Sequence, residues 1–115
     1  MGRKLVLGPK NVIEETGMDT TATGEKSYCE FLDLISYDLI WSSGNTPVAT
    51  VTIQYSNDNE SWITIDFGST ISISGASGSH RIDIKPNFKY VRPVVTFSSG
   101  DTDLTMQVKG TTKGA

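Results

Sequence analysis

Apolar and polar residues alternate over most of this chain, and turn-forming residues interrupt the alternation at short intervals. The clearest case is VTIQY (residues 51–55), where every second side chain is apolar. The polar Asn57-Asp58-Asn59 segment follows, and such residues accept positive backbone dihedrals and bond their own backbone. Trp62 then opens another alternating run. The pattern predicts a β-hairpin here and an all-β chain.

The same alternation predicts seven or eight short strands, and no segment has a helical period with capping residues. The main predicted strands cover residues 31–41, 48–56, 62–67, 71–73, 82–84, 88–97 and 104–108. Pro93 cannot donate to a sheet ladder, so it predicts a bulge or a sheet edge at its position. Short strands at this spacing favour an antiparallel two-sheet β-sandwich, jelly-roll-like, over residues 27–110.

The two ends of the chain differ from this pattern. Residues 4–7 and 11–15 are candidate short strands, separated by Gly8-Pro9, and a small, polar, Thr-rich segment follows them. We expect residues 1–26 to form an extended N-terminal arm, which either frays or orders against a neighbouring subunit. Residues 111–115 are expected to form a polar tail.

Composition narrows the class of protein. A chain of 115 residues supports one domain, and 37% hydrophobic residues suits strands that bury one face. The net charge of −3, with no basic stripe, argues against a nucleic-acid partner. No apolar run approaches the ~20 residues of a membrane helix, and no signal peptide is predicted. The single cysteine, Cys29, excludes an intrachain disulfide and favours synthesis in a reducing cytoplasm.

Catalytic and metal-binding patterns are weak. His80 is the only histidine, and no nucleophile elbow, zinc motif or phosphate loop accompanies it. Cys29 is interpreted as a small buried hydrophobe. Asn57–Glu60 and the pair Asp101 and Asp103 cluster oxygen atoms, but their spacing does not match a calcium loop and turn chemistry explains them. We therefore expect a protein that is not an enzyme and binds no cofactor or metal.

Flat aromatic faces can stack on sugar rings. Four residues offer such faces, namely Trp62, Tyr55, Trp41 and Tyr37. Ile63, Ile65 and Phe67 share one parity and are predicted to point inward. Trp62 has the opposite parity, so it points outward or packs on the preceding turn. A candidate glycan surface would combine Trp62 and Tyr55 with Asn57 and Asp58.

Two segments carry a resemblance. VTIQYSNDNESW (residues 51–62) is similar to the strand–turn–Trp segment of discoidin-like and related jelly-roll modules. KYVRPVVTFSSGDTDLTMQVKG (residues 89–110) resembles their closing hairpin. With the preceding aromatic-rich strand Tyr37–Trp41 and a small-polar loop, these segments also resemble small virion proteins of tailed bacteriophages.

The resemblance implies a non-enzymatic virion structural protein, made in a bacterial cytoplasm, that self-associates and docks on other virion proteins of a head or tail. It implies a structural role for Arg92, paired with a carboxylate such as Asp66 or Asp83. The alternative is a carbohydrate- or cell-surface-binding module, whose partner would be a host surface glycan. The two roles can coincide.

Overall fold

Two antiparallel β-sheets face each other in the computed structural model, which describes residues 3–68 and 71–113. All ten regular elements of this part are strands. They are β1 (Arg3–Met18), β2 (Ala22–Thr23), β3 (Ser27–Tyr28), β4 (Leu34–Ser42), β5 (Val48–Ser56), β6 (Ile63–Thr64), β7 (Ile71–Ser74), β8 (Gly78–Ile84), β9 (Tyr90–Ser99) and β10 (Thr102–Lys113). The predicted all-β sandwich is confirmed.

Each sheet has long central strands and distinct edges. Sheet I has the order β1-β10-β4-β8. Sheet II has β9 and β5 at its centre; β2 and β3 pair with the outer side of β9, and β6 and β7 pair with β5. Every strand pair is antiparallel.

Alternate side chains of both sheets form one apolar core between them. Sheet I contributes Ile35, Tyr37 and Leu39 from β4, and sheet II contributes Ile53 and Val91, all with no exposed surface. Burying each such side chain contributes about 1.5–3 kcal/mol to the free energy of unfolding. The Tyr37 hydroxyl is buried, and no described group forms a hydrogen bond with it. Burial raises the pKa of this phenol well above its usual range.

The N-terminal segment is part of the sandwich, which corrects the predicted arm over residues 1–26. Residues 3–18 form one strand along β10, and 22–23 and 27–28 pair with β9. The β1–β10 register shifts at four places, one of them around Pro9 and another around Gly17, whose φ is +62°. An edge strand accommodates such residues because its outer side needs no partner. Met1 and Gly2 lie outside the described residues.

Pro93 lies within a paired strand and not at a bulge of the β5–β9 ladder, where it faces Ile53 in regular register. Its carbonyl accepts a hydrogen bond from the Gly24 N–H, 2.8 Å away. A residue's N and O point to the same side of a strand, so the missing proline donor faces the gap between β2 and β3. A Cβ on Gly24 would lie 2.5 Å from Pro93 Cγ, so only glycine fits this crossing.

Three further boundaries differ from the sequence prediction. Phe31 lies in a turn before β4 and is 73% exposed, because the chain reverses between Cys29 and Leu32. The strand predicted over 62–67 is reduced to β6. The tail predicted over 111–115 continues β10 as far as Lys113, while residues 114–115 lie outside the description.

Candidate functional site

The β5–β6 turn holds two of the four residues predicted for a glycan surface. The Asp58 carboxylate accepts hydrogen bonds from the backbone N–H groups of Ser61 at 2.8 Å and Glu60 at 2.9 Å, and from the Ser56 hydroxyl at 3.0 Å. These bonds, made to the ionised form, lower the pKa of Asp58 to about 2. Asn57 Oδ1 accepts from the Lys89 N–H at 3.1 Å. Both side chains therefore stabilise the turn.

Tyr55 and Trp62 lie on opposite faces of sheet II. The Tyr55 ring stacks on Phe88, with centroids 4.9 Å apart and planes inclined by 21°, at the margin of the core. Trp62 lies on the outer face, where Arg92 Cζ is 4.0 Å from its ring centroid. A guanidinium at this distance makes a cation–π contact. One face of each aromatic ring is thus covered by another side chain.

Arg92 has partners other than those predicted. Its Nε donates to Gln54 Oε1 at 2.9 Å, and these two residues are cross-strand neighbours. The predicted pairing with Asp66 or Asp83 is wrong. Asp66 accepts from the Gly68 N–H at 2.8 Å, and Asp83 lies in β8 of the other sheet.

A cavity of about 240 Å³ adjoins the turn. It is lined by Tyr55, Ser56, Asn57, Asp58, Ser61 and Ile63. The structure therefore brings together three of the four predicted residues, whereas Trp62 lies outside this lining.

An exposed aromatic cluster, which the sequence did not predict, lies at the other end of the same turn. The Tyr28 ring contacts Tyr90 at 5.4 Å and Phe31 at 5.6 Å between centroids, both edge-on. We call these three residues the Tyr28 cluster. The Lys26 ammonium is 6.0 Å from the Tyr90 centroid and donates to Asn59 Oδ1 at 2.8 Å, which joins the cluster to the turn.

Polar groups accompany the Tyr28 cluster. The Tyr28 hydroxyl donates to the Glu30 carboxylate, and this bond raises the pKa of Tyr28 to about 12 because ionisation would break it. Tyr28 is 45% exposed and Phe31 is 73% exposed. The signal available in the sequence was two aromatic residues three positions apart on either side of buried Cys29. Phe31 was instead assigned to a strand, which hid the cluster.

The remaining candidates for chemistry have structural surroundings. The Cys29 thiol is buried, donates to the Phe88 carbonyl at 3.5 Å, and has its pKa raised to about 12 by desolvation. Its prediction as a buried hydrophobe is confirmed. His80 is exposed in β8 and helps to line a cavity of about 440 Å³ on sheet I, where Arg81 contacts Asp38 at 3.7 Å.

Residues 3–68 and 71–113 contain neither a cluster of potential metal ligands nor a helix suited to span a membrane. No three His, Cys, Asp or Glu side chains lie close enough together there to hold a metal ion. This part of the chain also contains no helix with the length and apolar character needed to span a membrane.

Comparison with known proteins gives structural neighbours only. No protein-family model matches the chain, and no curated protein is significantly similar to it. The crystal structure of FLHE aligns over 99% of this chain and 100% of its own, with a TM-score of 0.46 and 9% identity. Dimeric latent PorU from Porphyromonas gingivalis aligns over 97% of this chain with a TM-score of 0.41 and 12% identity. The match spans 13% of the PorU chain.

Proposed function

We propose that this chain is a non-enzymatic structural protein of a bacteriophage or prophage-derived virion, acting by self-association and by docking on other virion proteins. The observation that carries the proposal is the Tyr28 cluster. The Tyr28 ring contacts the rings of Tyr90 and Phe31, and Phe31 is 73% exposed, so the three form an apolar surface at one end of sheet II. Aromatic residues are enriched where proteins bind one another, and a virion partner would cover this surface.

The turn and its neighbours support the same role. Asn57, Asp58 and Arg92 all hydrogen-bond within the sandwich, so these polar residues help to fix its shape. A rigid surface loses little conformational entropy on binding. The sequence resemblance to small virion proteins agrees with such a building block.

Particle composition tests the proposal. An antibody raised against the purified chain would be used to probe density-purified phage particles from the source organism by blotting and immunogold microscopy. We expect the chain to sediment with particles and to label one part of them regularly. A chain that remains in the soluble lysate and is absent from purified particles would overturn the proposal.

Carbohydrate binding is the second candidate, favoured by the polar groups around the Tyr28 cluster. Exposed aromatic rings stack on sugars, while Lys26 and Glu30 beside them offer a donor and an acceptor for hydroxyl groups. Isothermal titration with a panel of host surface glycans would detect saturable binding. Binding lost in Phe31→Ala but retained in Trp62→Ala would place the sugar on this cluster. Retention in Phe31→Ala would exclude it.

A further inference from the structure

Residues 3–68 and 71–113 form two sheets with two edges each, and three of these four edges are protected against pairing with another strand. Strands β2, β3 and β6 have two residues each and β7 has four, so the edges of sheet II are short. The β1 edge of sheet I is irregular, with four register shifts and Pro9. Short, bulged or Pro-containing edges discourage strand addition.

The β8 edge has none of these protections. Gly78–Ile84 pairs with β4 through seven successive residues without a register shift, and no proline interrupts it. On its other side β8 has no strand partner within residues 3–68 and 71–113. A regular edge of this length presents alternating N–H and C=O groups that another strand can bond.

The charged residues of β8 favour a second copy of the same strand as the partner, in one register. Residues paired across a sheet must lie on the same face. In a second, antiparallel copy, Ser79, Arg81 and Asp83 of β8, with Lys85 just after the strand, would therefore face residues of this same set. Pairing centred on Arg81 or on Asp83 places like charges opposite each other. Pairing centred on Ile82 places Arg81 opposite Asp83 of the second copy, twice by symmetry, and Ser79 opposite Lys85.

Two other centres are less favourable. Pairing centred on His80 leaves Arg81 opposite an uncharged serine. Pairing centred on Ile84 would place Asp83 opposite Lys85, but it runs past the end of β8 into Pro86. The side chains of Arg81 and Asp83 are 50% and 54% exposed, and Arg81 Nε lies 3.2 Å from Asp83 Oδ1 within one chain. Both groups are therefore accessible at the edge.

We propose that two copies of this chain join through their β8 strands, antiparallel and centred on Ile82, so that two sheets I form one continuous sheet. The interface is isologous, as expected for a two-fold dimer. The inference rests on the self-association in the proposed function and names its surface and register.

Charge reversal tests the register. Arg81→Asp places two pairs of aspartates across the interface, and Asp83→Arg places two pairs of arginines. We expect each variant alone to have a dimer dissociation constant raised on the order of tenfold or more. Mixing the two variants in equal amounts restores opposite charges at both contacts. The mixture should therefore form a heterodimer of one Arg81→Asp chain and one Asp83→Arg chain. Light scattering after gel filtration and native mass spectrometry would measure both.

A matched control reverses a charge away from β8. Lys10 forms an exposed ion pair with Glu25 at 2.6 Å, so Lys10→Asp should leave dimerisation unchanged. Circular dichroism would verify that every variant is folded. Wild-type chain that stays monomeric at millimolar concentration overturns the inference, as do variants that associate like wild type or a mixture that fails to recover. In those cases particle labelling would still decide the virion role separately.

Discussion

Replacing Gly100 by alanine tests how tightly the β9–β10 turn packs on the loop before β5. Gly100 has φ +72°, and a Cβ there would lie 2.5 Å from the Asn45 carbonyl oxygen and 2.7 Å from Pro47 Cα. These atoms belong to backbone, so they cannot rotate away. The Asn45 N–H donates to the Asp101 carbonyl at 2.8 Å, which ties the loop to the same turn.

The expected cost has two parts. Holding an alanine in the left-handed conformation destabilises the folded state by about 1–2 kcal/mol. Alanine also lowers the conformational entropy of the unfolded chain, which offsets about 0.4–1 kcal/mol of that cost. Displacing packed backbone adds about 1–3 kcal/mol. Gly100→Ala should therefore lower the free energy of unfolding by about 2–4 kcal/mol and Tm by about 8–16 °C at ~4 °C per kcal/mol.

Gly75 provides the matched control. Its φ is +83°, but an added Cβ would have no atom within 4 Å. Gly75→Ala should cost about 1 kcal/mol, the dihedral part alone. Urea denaturation followed by tryptophan fluorescence, with thermal melts by circular dichroism, would measure both variants. Equal costs for the two substitutions would refute the reasoning from backbone contact.

Three further predictions concern single side chains. Tyr37→Phe removes a buried hydroxyl without a partner and should raise the free energy of unfolding by about 1 kcal/mol in urea melts; a loss of stability would show that the hydroxyl is hydrogen-bonded. The depressed pKa of Asp58 means that its contribution is present above pH ~4 and is lost as the pH falls towards about 2. Asp58→Asn should therefore show a shallower loss of Tm between these pH values, and an unchanged profile would contradict the turn network. Arg92→Ala should lower stability, and a double-mutant cycle with Trp62→Ala should give a coupling of about 0.5–1 kcal/mol; additive effects would contradict the cation–π contact.

The presence of most strands could be predicted from the sequence, because apolar and polar residues alternate wherever one face of a strand is buried. Val48–Ser56 has the predicted bounds. Parity was not sufficient after the turn, because Ile63 and Phe67, which it predicts to point inward, are 53% and 38% exposed. The Asn57-Asp58-Asn59 turn was predictable because its side chains bond nearby backbone. Such a turn depends only on residues that lie close together in the sequence.

Long-range pairing could not be predicted in this way. The Thr-rich segment after β1 has little apolar surface, yet Ala22–Thr23 and Ser27–Tyr28 pair with β9 because the backbone groups there need partners. The partners of Arg92 depend on which strands are neighbours, which alternation does not reveal. Phe31 was predicted to begin the strand over residues 31–41, but it lies in the turn before β4. Alternation alone does not distinguish an apolar residue in a strand from one in the turn that precedes it.

The pairing of β1 with β10 has a consequence for biosynthesis. Within the described chain β10 is the strand partner of β1, and Arg3 faces Lys113. At typical elongation rates, β1 leaves the ribosome on the order of ten seconds before β10 is complete. During that interval its bonding groups are open to water, chaperones or other nascent chains. Closing so distant a contact also places this sandwich among slowly folding topologies. The synthesis of β10 thus determines when β1 becomes native.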